Sequence, residues 1–103
     1  MKEDFVGAIH TKNKVRVTFY SKEDGVALSR VCAPMDFGPS RRAHSQDDRF
    51  HSWDYESDQK NHVLSLPQEQ VRSIEVLPDT FDPSEFVTWR PNWIIQREWG
   101  SYS

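Results

Sequence analysis

Residues Lys14 to Tyr20 alternate without a break: Val15, Val17 and Phe19 point one way, and Lys14, Arg16, Thr18 and Tyr20 the other. A period of two marks a strand with one buried face. Far downstream, Val71, Ile74, Val76 and Leu77 form a second β-branched run, which ends at Pro78-Asp79 and leaves through Phe81-Asp82-Pro83. The residues between divide into further short strands. Ser21 to Gly25 ends in Asp-Gly, a hairpin signal, and Val26 to Ala33 returns antiparallel until Pro34 stops it. Met35 to Asp48 holds Gly38-Pro39 and Arg41-Arg42 and reads as a long loop. Arg49 to Glu56 alternates again, with Phe50, Ser52 and Asp54 opposite His51, Trp53 and Tyr55. After a turn at Ser57 to Asn61, a fourth strand runs from His62 to Leu66 and breaks at Pro67. Gln68-Glu69-Gln70 is a single helical turn before the fifth strand, Val71 to Leu77. Short strands punctuated by turns point to a small barrel or sandwich.

The ends of the chain differ from this middle. Phe5, Val6, Ala8 and Ile9 follow Glu3-Asp4 at helical spacing, which predicts a short helix over residues 3 to 11. Asp82-Pro83-Ser84-Glu85 has an N-cap residue followed by Pro at the first position. It predicts a C-terminal helical extension, kinked or split at Pro91 and carrying three of the four tryptophans. The expected fold class is therefore mainly β, in the α+β sense, with residues 1–83 forming the β domain and residues 84–103 an aromatic extension packing on it or on a partner.

Composition narrows the function. With 103 residues the chain is one domain, and 13% aromatic content supplies the large apolar groups that a disordered segment lacks. Mean hydropathy is low, at -0.79. A net charge of -3 gives no global attraction for phosphates, so nucleic-acid binding needs a local basic patch. Cys32 is the only cysteine, which rules out an intrachain disulfide and a thiolate-built zinc site and makes a cytoplasmic location the expectation. The charged N-terminus reaches no long apolar run, so neither a signal peptide nor a membrane span is expected.

One family resembles this arrangement. Ala8-Ile9 with Lys14 to Tyr20, then Arg30-Val31-Cys32-Ala33-Pro34, then Ser73 to Leu77 with Thr80-Phe81, resemble in order and spacing the first helix and strand, the Arg-Val-Val-x-Pro second strand and the closing strand of WYL-domain proteins. The similarity covers residues 5 to 83. It implies a five-stranded, Sm-like or SH3-type barrel that binds a ligand, as found in bacterial and phage regulators sensing nucleotides or nucleic acid. Where the family carries Trp-Tyr-Leu this chain has Phe50-His51-Ser52, and the strand that would carry the family's further arginine, His62 to Leu66, has none.

Four sets of side chains are candidates for function. Arg30, Arg41, Arg42 and Arg49 could fork onto phosphate oxygens, with Phe50 and Trp53 stacking on a nucleotide or on single-stranded nucleic acid. Against that stand Asp47 and Asp48, and the plain alternative of solvated loop charges and core aromatics. Trp89, Trp93, Arg97 and Trp99 are the types found at interface hot spots and suit a protein partner or a homodimer, unless the tail folds back over the β domain. The tail is too short and too nearly neutral for membrane association. The histidines are scattered, although His51 and His62 could face each other across the second hairpin; no metal site and no cofactor is expected. Cys32 lies in an apolar run, which disfavours a nucleophilic role, and no enzyme motif is present. The expected role is a non-enzymatic, ligand-sensing regulatory module.

Overall fold

The computed structural model describes residues 1–41, 44–58 and 60–103. Helix α1, Lys2–Thr11, has Glu3 and Asp4 in its first turn, where carboxylates complement the helix dipole. It buries Phe5, Ala8 and Ile9, and it ends as Lys12 turns left-handed at φ 58°. Strand β1, Asn13–Ser21, follows at once, with Val15, Val17 and Phe19 buried as the alternation predicts. At the hairpin, Gly25 takes φ 69° and its N–H donates to the Ser21 carbonyl at 2.8 Å. A side chain is disfavoured at that φ, which explains a glycine there.

Strand β2, Val26–Pro39, is longer than expected. Pro34 does not end it, and Met35 to Pro39 belong to the strand rather than to a loop. Pro34 faces Ser52 beside a register shift between Pro34 and Asp36. A bulge removes the demand for a ladder N–H that proline cannot meet, and it bends the strand at that point. Strand β3, Asp48–Asp54, pairs with the far half of β2, and β4, Val63–Pro67, pairs with β3. The turn Gln68–Gln70 leads into β5, Val71–Thr80, which returns to lie against β1. All ladders are antiparallel, and the order β4-β3-β2-β1-β5 leaves β4 and β5 as the edges of one five-stranded sheet. No helix among the described residues is long and apolar enough to cross a membrane.

The C-terminal segment is not the helical extension its sequence predicts. The capping box forms: the Asp82 carboxylate accepts from the Ser84 N–H, and the Glu85 carboxylate accepts from the Asp82 N–H, each at 3.0 Å. It launches one 3-10 turn, Pro83–Glu85, and the chain then runs irregularly to a last turn at Gly100–Tyr102. Two causes are visible. Pro91 cannot donate to a helical carbonyl. The N–H groups of Ile94 and Ile95 donate instead to the Asp36 carboxylate on β2, at 2.9 Å each. Phe86, Val87 and Trp99 join the same core as Phe5, Val15 and Phe50, so the tail contributes these three side chains to the interior packing.

Candidate functional site

Two regions gather charged side chains with a definite geometry. The first is where the tail seats on β2. Asp36 follows the bulge, and its carboxylate accepts from the N–H groups of Phe37, Ile94 and Ile95 and from the Arg97 guanidinium at 3.3 Å. Arg97 has a fully buried side chain, lies 4.3 Å from the Trp93 ring centroid and 4.5 Å from that of Trp99, and donates to the carbonyls of Met35 and Ile95. Burial lowers the Arg97 pKa to about 10, against the opposing pull of Asp36. Gly38 lies directly under the Ile94 side chain, where any Cβ would collide. Trp99 donates its ring N–H to the Ile9 carbonyl at 2.9 Å, and Trp93 donates its own to Tyr102 at 2.8 Å.

The second region is a cleft at the other end of the sheet. Residues Val26 to Val31 of β2 pair with β1, but β3 meets β2 only from Cys32 onward, opposite Asp54. Cross-strand partners share a face, so Phe19 with Leu28, Arg30 opposite Val17, and Asp54 opposite Cys32 continue the core face past the point where β3 and β4 cover it. The space left open is about 550 Å³. Its floor is Phe19, Leu28, Leu64, Arg30 and Asp54. The hairpin turn contributes Lys22, Glu23 and Asp24 to the rim, and the β3–β4 connection contributes Asp58, Asn61 and His62. Arg30 donates to the Glu56 carbonyl at 3.2 Å and keeps its Nε 3.9 Å from Asp54, with a third of its side chain exposed. Asp54 is held in turn by the Glu56 N–H at 2.9 Å.

These positions separate the candidate residues. Arg30 is in the cleft. Arg49 lies opposite Gly38 and Pro67, five residues along β3 from Asp54, or about 17 Å at strand rise, and on the opposite face by alternation. Arg41 is exposed in the turn after β2, and Arg42 lies outside the described residues. Among the described residues, Arg30 and Arg49 therefore do not share a common rim. Phe50 is 2% exposed and wedged edge-on between Phe5 and Phe37, each ring 5.0 Å away, so it has no face to offer a base. Trp53 is half-buried between Phe86 and His62, stacked at 5.7 and 4.8 Å. In the tail, Arg97 and Trp99 are interior groups and leave the partner-facing set, because folding has already used their surfaces. Trp93 is half-buried against both, while Trp89 remains 44% exposed.

His51 and His62 do not face each other. His51 pairs with Ser65, and its ring nitrogens lie 2.8 Å from the Ser65 hydroxyl and 2.9 Å from the Gly38 carbonyl oxygen. His62 binds the Asp54 carbonyl at 2.8 Å through Nδ1. Burial, with Asp54 and Glu56 near, pushes the Cys32 thiol well above its usual range, which keeps it a protonated, unreactive core group. Sequence reasoning missed Asp36, Asp54 and Gly38. Asp54 was visible as the charged member of the Phe50, Ser52 and Asp54 alternation; Asp36 and Gly38 were hidden in what reads as a loop. Comparison with known protein families, with curated proteins and with solved structures finds no match for this chain.

Proposed function

We propose that this chain is a non-enzymatic ligand-sensing module, with the cleft between the two hairpin ends as its binding site. One observation carries the reading: a 550 Å³ recess that sets a partly exposed arginine–aspartate pair beside Phe19, Leu28 and Leu64. Sites for small ligands are of this size, about 300–1,000 Å³. The finer fold reading belongs with it. The strand order and the single turn joining β4 to β5 suit an SH3- or Sm-type roll, and the WYL-like strings lie on α1, β1, β2 and β5. Of the arginines, Arg30 is the one a ligand in this cleft would meet. A long single strand needing Arg41 and Arg49 as well does not suit the reading.

The test is an amide-shift titration of the folded chain with a mixed panel of nucleotides, amino acids and short oligonucleotides at low salt. Shifts confined to Leu28, Arg30, Asp54, Asn61 and Leu64 are expected for some member. A panel that moves none of them removes the reading.

A second reading rests on a different observation. Trp89 and Ile94 are 44% and 48% exposed on a tail whose remaining aromatics are anchored. That surface suits contact with a second copy of the chain. Light scattering of the chain and of a Trp89→Ser, Ile94→Ser variant checks it: a dimer lost in the variant supports the contact, and a wild-type monomer at high concentration ends it.

A further inference from the structure

The cleft has a charge sign of its own, opposite to that of a phosphate site. Among the described residues lining it, Glu23, Asp24, Asp54 and Asp58 face Lys22 and Arg30, an excess of carboxylates over cations. Arg30, the deepest cation, is already engaged by Asp54 and the Glu56 carbonyl, so its charge is partly neutralised within the floor. The acids at the rim come from two separate loops, the β1–β2 turn and the β3–β4 connection, and so face the opening from both sides. Between them, beside Arg30 and Asp54, the floor offers the apolar groups Phe19, Leu28 and Leu64. An anion entering here would be repelled at the rim. A cation carrying an apolar stem would meet carboxylates at its head and aliphatic surface along its length.

We infer that the ligand is an organic cation, a primary amine or guanidinium on an unbranched hydrocarbon stem, seated with its stem on Leu28 and Leu64 and its charge toward Glu23 and Asp58. The inference rests on the cleft being the binding site and adds the class of ligand to that reading. Such a group occurs both as a free amine and as the lysine or arginine side chain of a peptide, and the two sources share this chemistry.

The experiment is an amide-shift titration of the folded chain with 1,5-diaminopentane, agmatine and a short lysine-containing peptide, beside inorganic phosphate and adenosine monophosphate. The amines are expected to move Leu28, Leu64 and Asn61 saturably, and phosphate to move none of them. Glu23→Gln and Asp58→Asn, both at exposed turn positions that leave the core intact, are each expected to weaken amine binding about two- to fivefold. Raising salt toward 0.3 M should weaken it similarly. The peptide binding more tightly than either free amine assigns the side-chain source, and the reverse order assigns the free amine. Adenosine monophosphate shifting the cleft while the amines do not would overturn the charge assignment and leave the ligand-sensing reading standing. If neither class moves the cleft residues, and the mixed panel does not either, both fail. Amine binding unaffected by both substitutions overturns the role given to the rim.

Discussion

Arg97 and Arg30 each lie beside a single aspartate of the same sheet, and the two pairs serve opposite ends. Arg97 is enclosed by two tryptophan rings, and its Asp36 partner accepts three backbone N–H groups besides the guanidinium. Arg30 is a third exposed, 3.9 Å from Asp54, and looks into open space. The first pair costs desolvation that only its complete set of hydrogen bonds offsets, so it holds one arrangement of the tail and no other. The second is only partly desolvated and leaves its face available. Binding groups are kept where packing is incomplete; the same residue types become structural where a further segment seals them.

The strongest way to break that contrast is Asp36→Ala. It strands a buried guanidinium and three N–H groups, and a loss of about 3–5 kcal/mol in urea unfolding is expected, as for other broken buried pairs. A loss below 1 kcal/mol would mean that the tail is only loosely seated. Gly38→Ala comes next. Its Cβ must displace Ile94, a half-exposed side chain that can swing outward, so a cost of about 1 kcal/mol, the low end for overpacking, is expected, with amide shifts at Ile94 and Ile95. In the cleft, Arg30→Met should change stability by less than about 1 kcal/mol, because a long, partly solvated pair contributes little. Stability loss equal to that of Asp36→Ala would erase the distinction between the two regions.

The smallest expected effect concerns Tyr55, near the cleft on the β3 side. Burial, then the Glu85 carboxylate to which its hydroxyl donates at 3.3 Å, raises its pKa well above the ordinary tyrosine value. A raised folded-state pKa means that the protonated phenol is favoured by folding. Its contribution is present in full at neutral pH and fades as pH climbs past the unfolded-state value, near about 10. Tyr55→Phe should cost about 0.5–1 kcal/mol at pH 7 for the lost hydrogen bond, and should flatten the decline in stability above pH 10. Urea midpoints of both proteins from pH 7 to 11 provide the check.

Much of the architecture was readable because strands advertise themselves locally. The alternation of Lys14 to Tyr20, the Asp24-Gly25 turn and the turn at Gln68–Gln70 are all where the pattern puts them. The reading of β2 stopped early because Pro34 breaks an ordinary ladder, and nothing in the string announces a bulge that tolerates it. The tail failed for a related reason. Its helix start is genuine, yet the capping box stabilises only one turn, and the competing acceptor, Asp36, lies 58 residues away from Ile94 in the chain. As for the site, Arg30 was identified and sits in the cleft, but its grouping with Arg41 and Arg49 assumed that residues on one strand pair share an end and a face.

What the amino-acid order settled alone was the succession of elements and which residues of each strand turn inward, since side-chain alternation and turn chemistry act between near neighbours. Folding in three dimensions decided which charges would be sealed and which left open. Burial depends on what arrives from elsewhere in the chain: the last residues cover Asp36, whereas Arg30 keeps a third of its side chain exposed.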